Sequence, residues 1–359
     1  MFYQFLYPLH TVFSGFNVFR YITFRCVGAI LTAFLIVLIA GPAFIRLMQR
    51  YQIGQVVRED GMETHFGKRG VPTMGGLLIL VAITGAHLLW VDFANRFVWV
   101  LLGLTLWFGL IGAYDDYRKI KKKNSHGLSA RGKLFCQVLG ALGAGLILYK
   151  STGFNSELSI PFFKNVTPDL GGFYIAFAVV VVVGCSNAVN LTDGLDGLVT
   201  GPVVVTSTVY LIFSYLAGHA LLASYLQIPF VNGAGDVAIF CGAIMGASLG
   251  FLWFNAYPAQ VFMGDVGSLA LGGALGFIAI IIKQEILLAI VGGIFVMEAL
   301  SVMLQVGYYK MTGGRRIFLM APFHHHFEKK GWHETKVVVR FWIISIALGL
   351  VALATLKLR

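Results

Sequence analysis

Phe173-Tyr-Ile-Ala-Phe-Ala-Val-Val-Val-Val-Val-Gly-Cys-Ser-Asn187-Ala-Val-Asn190-Leu-Thr-Asp193-Gly-Leu-Asp196-Gly197 is an apolar run that ends abruptly in amides, carboxylates and glycines. A second apolar run, 198–216, follows at once. Polar chemistry therefore sits at the mouth of two greasy segments. Asp193 and Asp196 are three residues apart, and in a helical turn that spacing puts both on one face. Neighbouring carboxylates repel unless a cation or a proton stands between them. Mg²⁺ together with a phosphorylated ligand is a natural occupant, because that ion favours carboxylate and phosphate oxygen together. The plainer alternative is a solvated loop in which Asn and Asp form turns.

Composition settles the solvent. The 359 residues are 58% hydrophobic and 12% charged, with a mean hydropathy of +0.80. A soluble domain carries about 25% charged residues, so this is an integral membrane protein. The net charge of +11 is accordingly read as a membrane-topology signal, and no nucleic-acid partner is expected. Cys26, Cys136, Cys185 and Cys241 show neither metal-ligand spacing nor a disulfide framework. No cleavable leader pattern is read at the N-terminus, since the run 24–47 is too long for one.

The fold class expected is all-α, a polytopic membrane protein forming one domain over 1–359. A span needs about 20 mainly apolar residues. Ten candidates fit: 22–47, 73–93, 97–114, 132–150, 172–190, 199–217, 236–254, 267–284, 286–309 and 337–357. The eighth and ninth, separated by Lys283-Gln284-Glu285, are expected to form a tight hairpin, and Glu298 and Gln305 interrupt the ninth. The aromatic-rich residues 1–21 suit the membrane interface.

The cations sort to one side. Arg46, Arg50, Arg58, Lys68 and Arg69 follow the first span. Arg118, Lys119, Lys121, Lys122, Lys123, Arg131 and Lys133 flank the third-to-fourth connection. Lys310, Arg315, Arg316, Lys329, Lys330, Lys336 and Arg340 follow the ninth. These are 19 of the 27 Lys and Arg, and the positive-inside rule makes that side cytoplasmic, with both termini outside. The acids, amides and histidines gather on the same side, which suggests a single cytoplasm-facing site.

Four further constellations lie there. Asp115-Asp116 close the third span, where a helix C-terminus disfavours carboxylates, so Mg²⁺, Lys119 or a shared proton must compensate. Adjacent helical positions diverge, so one carboxylate could face a metal and the other a substrate. In Phe262-Met-Gly264-Asp265-Val-Gly-Ser, Asp265 falls at an expected helix start, Gly264 and Gly267 leave close approach open, and Phe262 suits stacking on a flat base. His324-His325-His326 would splay three rings that can donate to phosphate or titrate near neutral pH. Lys68-Arg-Gly-Val-Pro-Thr-Met-Gly-Gly76 resembles a phosphate-friendly loop. Glu298 is an acid inside a span, a functional suspect by position, although a hydrogen bond to a neighbouring helix is an equal reading.

Together the Lys68–Gly76 loop, Ile111-Gly-Ala-Tyr-Asp-Asp-Tyr, the Asn187–Gly197 stretch, Phe262-Met-Gly-Asp-Val-Gly-Ser and Ala321-Pro-Phe-His-His-His resemble the polyprenyl-phosphate N-acetylhexosamine-1-phosphate transferases. The triple histidine is similar to their phospho-N-acetylmuramoyl-pentapeptide branch. The resemblance runs in order along essentially the whole chain.

That resemblance implies transfer of a phospho-sugar from UDP-N-acetylmuramoyl-pentapeptide to undecaprenyl phosphate, giving UMP and lipid I in the bacterial inner membrane. It implies a Mg²⁺ cofactor and a homodimer. By the same resemblance Asp265 is the main Mg²⁺ ligand, and Asp115 the base or nucleophile with Asp116 beside it. Asp115, Asp116, Asp265 and His324 form the catalytic set. Asn187, Asn190, Asp193, Asp196 and Gly264 line the donor pocket, with Phe262 on uracil near Asn255 and Gln305. Lys68, Lys133, His325 and His326 meet phosphates or the sugar-peptide. Direct attack by the lipid phosphate and a covalent carboxylate intermediate both remain open. A sister transferase taking UDP-N-acetylglucosamine and a secondary transporter are the rival readings. Transporters place ion sites near the midplane between repeated halves, and no repeat is visible here.

Overall fold

The computed structural model describes residues 1–51, 70–122, 127–151, 154–163 and 166–357. Residues 1–21 form a short helix α1 (Phe2–Phe5) and two 3₁₀ turns, Tyr7–Thr11 and Ser14–Arg20. Their rings are only partly free. Phe2, Phe19 and Phe24 pack around Trp90, while Phe5 and Phe13 stay exposed.

The helices that follow are α2 (Ile22–Arg50), α3 (Gly76–Trp90), α4 (Arg96–Lys122), α5 (Ala130–Tyr149), α6 (Phe173–Thr192), α7 (Thr200–Ala217), α8 (Ala220–Leu226) and α9 (Ala234–Asn255). The chain continues through α10 (Gly264–Ile281), α11 (Leu287–Val291), α12 (Gly293–Met311), α13 (Phe323–Lys329) and α14 (Glu334–Ala354). Among the described residues no strand forms, and an isolated bridge pairs Glu157 with Asp169. Even the valine run of α6 is helical. Lipid offers no partner for a backbone N–H or C=O, so the helix, which satisfies its own, wins over β-propensity.

Eight helices are long and apolar enough to cross a membrane among the described residues: α2, α4, α5, α6, α7, α9, α10 and α14. Helix α3 has the apolar composition but 15 residues, about 22 Å of rise against a core of about 30 Å. The expected span 286–309 is broken instead of continuous. Helix α11 ends at Gly292, and α12 starts anew. The expected hairpin does not close on α10 either, because α12 leaves to pack mainly on α6, α13 and α14.

Helix α10 is the axis of the bundle, nearly all buried against α4, α6 and α3. Helix α9 is next, pressed on α2 and α7. Small residues set that closeness, as dispersion and not the hydrophobic effect drives packing in lipid. A Cβ on Gly246 would lie 2.1 Å from the Ile30 carbonyl oxygen of α2. Backbone meets backbone there, and no side chain can move aside.

Candidate active site

Helix α4 does not stop at the acid pair. It runs on to Lys122, so Asp115 and Asp116 lie about two turns before its end, away from the terminal carbonyls. Their compensation comes from the continuing helix. Lys119 is four residues past Asp115 and three past Asp116, on the same face. Its Nζ lies 2.6 Å from Asp115 Oδ2 and 3.5 Å from Asp116 Oδ1.

Asp265 arrives from the first turn of α10, next to Gly264 at φ +73°. Two glycines let this turn seat. A Cβ on Gly112 of α4 would meet the Asp265 carbonyl oxygen at 2.2 Å, and one on Gly76 of α3 would meet the Gly267 nitrogen at 2.1 Å. The turn is tied further by Gly75 and Gly76 N–H groups donating to the Phe262 and Met263 carbonyls, each at 2.8 Å.

One oxygen from each of Asp115, Asp116 and Asp265 lies within 4.8 Å of the others. Both members of the acid pair thus reach one cluster, and the expected division between a metal face and a substrate face is not what the helix does. Lys119 Nζ is also 3.1 Å from Asp265 Oδ2, and Lys133, in the first turn of α5, is 2.5 Å from that oxygen and 3.6 Å from Asp115. Asn190 Nδ2 donates to Asp265 Oδ1 at 2.9 Å and to Ser268 Oγ at 2.8 Å. The Leu128 N–H donates to Asp115 Oδ1 at 2.7 Å and the Val266 N–H to Asp116 Oδ2 at 3.3 Å. Asp115 and Asp116 are buried, with only 2% and 5% of their surface exposed.

The residues fit a divalent cation. The donor set is carboxylate oxygen only, which suits Mg²⁺. An ammonium group already stands within reach of all three carboxylates, which marks a cation position.

Asp193 and Asp196 do not share a face. The chain leaves α6 at Asp193, where ψ is +61°, so Asp196 is already off the helix and its carboxylate meets other partners. Asp193 accepts the Gly264 N–H, and burial, followed by the charges of Asp265, Asp116 and Asp196, pushes its carboxyl from 3.8 up to about 8. Asp196 faces the 256–263 loop, with Oδ2 accepting the Ala259 N–H at 2.9 Å, while its own N–H donates to Glu334 Oε1 at 2.7 Å.

Three other expected residues have their side chains drawn into the scaffold. Asn255 Oδ1 accepts from Gly197 N–H at 3.1 Å and Thr200 Oγ1 at 3.2 Å, and its Nδ2 donates to the Val261 carbonyl at 2.9 Å. Asn187 Nδ2 donates to Gln137 Oε1 of α5 and to the Val183 carbonyl. Gln305 Oε1 accepts the N–H groups of Ile317 and Phe318. Phe262 is half-buried in the loop ahead of α10. Lys68 lies outside the described residues.

The histidines sit on α13, where the His324 and His325 rings pack with centroids 4.1 Å apart instead of splaying. His324 is fully buried, its Nδ1 3.2 Å from Glu298 Oε2. His325 Nδ1 is 2.7 Å from Glu328 Oε2. His326 Nδ1 accepts the Leu319 N–H at 3.1 Å, and its ring stacks on Phe323. The sequence marks Lys119 only as compensating charge and does not single out Ser268, Glu334 or Gln137. The i+3/i+4 spacing of Lys119 from the acid pair was a usable signal. The other three meet their partners across 50 to 138 residues, and no local pattern announces such contacts.

Residues 98–283 match the family described as glycosyl transferase family 4. Over 359 residues, the whole of both chains, the sequence is 71% identical to a phospho-N-acetylmuramoyl-pentapeptide-transferase of Desulfotalea psychrophila. Over the same full lengths it is 59% identical to the protein of that name from Desulfosudis oleivorans and 58% identical to the one from Syntrophus aciditrophicus.

Proposed function

The chain belongs to the phospho-N-acetylmuramoyl-pentapeptide-transferase family, and from that premise we propose how its residues divide the work. The reaction moves phospho-N-acetylmuramoyl-pentapeptide from its UDP carrier to a polyprenyl phosphate in the membrane, making lipid I for peptidoglycan and releasing UMP. The acceptor is undecaprenyl phosphate.

The observation that carries the reading is the three-carboxylate, two-ammonium cluster at one end of the bundle. Asp265, with Asp115 and Asp116, would hold Mg²⁺. When bound, Mg²⁺ neutralises diphosphate oxygens and the charge developing on the departing nucleotide. Lys119 and Lys133 stand beside the carboxylates as point charges for the two phosphates, which otherwise repel as they meet. Asn190 keeps Asp265 oriented through its 2.9 Å hydrogen bond. Asp193 lines the donor side next to Gly264, and Phe262 offers its ring to uracil. Lys68, His325 and His326 meet phosphate or the sugar-peptide.

Direct attack by the lipid phosphate is the favoured route. A phosphomonoester with a second pKa of about 6 is largely ionised at neutral pH, so it needs little help from a base. Asp115 in turn has both oxygens engaged, by the Leu128 N–H and by Lys119, which suits a fixed electrostatic partner better than a nucleophile. The Lys and Arg distribution supports both termini outside and the cluster facing the cytoplasm. A cytoplasmic mouth lets a water-soluble donor meet a lipid phosphate without moving charge through hydrocarbon. The protein works as a homodimer in the bacterial inner membrane.

The test is UMP release from UDP-N-acetylmuramoyl-pentapeptide by purified protein, with and without undecaprenyl phosphate and Mg²⁺. Release that needs all three components is expected. Release of labelled UMP without lipid, with phospho-sugar left on the protein, would replace direct attack by the covalent route.

A further inference from the structure

Glu298 lies on α12 with none of its surface exposed, where an uncompensated carboxylate is costly. Its compensation is specific. Oε2 accepts the Phe323 N–H at 2.7 Å and Oε1 the His324 N–H at 3.2 Å. These are opening N–H groups of α13, which have no partner within their own helix, and the N-cap residue Pro322 supplies no side-chain bond. Two turns further along the same face of α12, Gln305 accepts the N–H groups of Ile317 and Phe318 at 3.1 and 2.9 Å. A carboxylate and an amide seven residues apart thus hold the chain on both sides of the 319–322 corner.

The same carboxylate addresses the first histidine. Glu298 Oε2 is 3.2 Å from His324 Nδ1. The contact is one of charge proximity: neither ring nitrogen has a hydrogen-bond partner among the described residues, and Nε2, on the side away from Glu298, is buried. It faces the turn after α6 so closely that a Cβ on Gly194 would lie 2.2 Å from it. Gly194 follows Asp193, the carboxylate that accepts the Gly264 N–H beside Asp265. A carboxylate next to one imidazole nitrogen keeps the proton there and leaves the other nitrogen as the acceptor.

We propose that Glu298 is a positioning residue for the transfer reaction. It fixes the start of α13 through two backbone N–H groups and holds the His324 proton on Nδ1. His324 Nε2 is thereby presented as an acceptor to the Asp193–Gly194 turn, where the donor is read to bind. This rests on the assignment of the cluster as a phospho-sugar transfer site.

The experiment is a double-mutant cycle on the full-length protein in lipid nanodiscs, with UMP release from radiolabelled donor as readout. Glu298→Gln keeps the size but puts an NH₂ group against a donor. Its kcat is expected to fall roughly tenfold to a hundredfold, the range seen when the partner orienting a histidine is removed, with the donor KM changed by less than about twofold. In a His324→Gln background the same substitution is expected to change kcat by less than about twofold. An equal loss in both backgrounds would overturn the route through His324 and leave Glu298 a packing residue, and unchanged kcat in the single variant would overturn the proposal outright. If Glu298→Gln does not fold, Glu298→Asp, which keeps both oxygens one methylene short, is carried through the same cycle. Failure of the wild-type protein to release UMP would strike the transferase assignment instead.

Discussion

Lys119 and Asp265 are 146 positions apart in sequence and 3.1 Å apart in space. The contact joins the far end of α4 to the first turn of α10, and it forms because both turns carry a glycine where the helices touch. Gly112 sits one turn before Asp116, and Gly264 immediately precedes Asp265. The ammonium group bridges carboxylates from both helices, so the cluster depends on the packing as much as on the acids.

Asp265 is the carboxylate shared by Lys119, Lys133 and Asn190. Asp265→Ala should therefore lower UMP release by about a thousandfold or more, the effect of losing several kcal/mol of charge stabilisation. The protein should still fold, with a lower thermal unfolding midpoint, because Lys119, Lys133 and Asn190 lose their shared carboxylate. Near-normal turnover in this variant would remove Asp265 from the chemistry.

Phe262 is fixed by its backbone, with its N–H on the Pro72 carbonyl and its own carbonyl on Gly75 N–H, while the ring keeps partial exposure. Phe262→Ala should raise the donor KM about tenfold, in line with the loss of one base–aromatic stack, and leave the lipid KM within about twofold. Equal changes for donor and lipid would mean that the ring only supports the loop.

The pH dependence of stability has a defined sign at Asp193. The folded protein keeps this proton up to about pH 8, whereas an ordinary carboxyl releases it near 3.8. Across that window the native state binds more protons than the unfolded chain, so stability falls as pH rises. With metal chelated, the unfolding midpoint should decline from acid toward about pH 8, and Asp193→Asn should flatten the decline. An identical slope in the variant would assign the effect to another group.

Gly246 tests the packing. Because a Cβ there meets the Ile30 carbonyl at 2.1 Å, Gly246→Ala must part α9 from α2. A loss of about 1–3 kcal/mol is expected, as for overpacked cores, read as a lower unfolding midpoint with turnover per folded molecule preserved. An unchanged midpoint would mean that the two helices can slide apart freely.

Much of this arrangement can be read before any coordinates. Runs of about 20 apolar residues force helices in lipid, and polar residues cannot stay in their middles, so the candidate site had to gather at the ends. The acids were accordingly visible as one cytoplasm-side group, from which the family resemblance singled out Asp115, Asp116 and Asp265. What stayed hidden were helix ends and breaks. Gly292-Gly293 is a turn signal, but Gly272-Gly273 sits inside the unbroken α10, so the pair alone does not place the break, and the charged residues after Asp116 do not reveal that α4 continues to Lys122. Helix α6 ends at Asp193, so Asp193 and Asp196 lose the common face that helical spacing would have given them. Asn255 and Gln305 look like ligand-binding amides in sequence, yet their acceptors are taken by backbone N–H groups that come close only after folding.

The most direct measurement counts the ion itself. Mn²⁺, an oxygen-seeking stand-in for Mg²⁺, can be followed by electron paramagnetic resonance on purified protein without any turnover. One tightly bound ion per chain is expected in the wild type, lost in Asp265→Ala and weakened in Asp116→Asn. Mn²⁺ binding that is undiminished in both variants would show that α4 and α10 do not build the metal site.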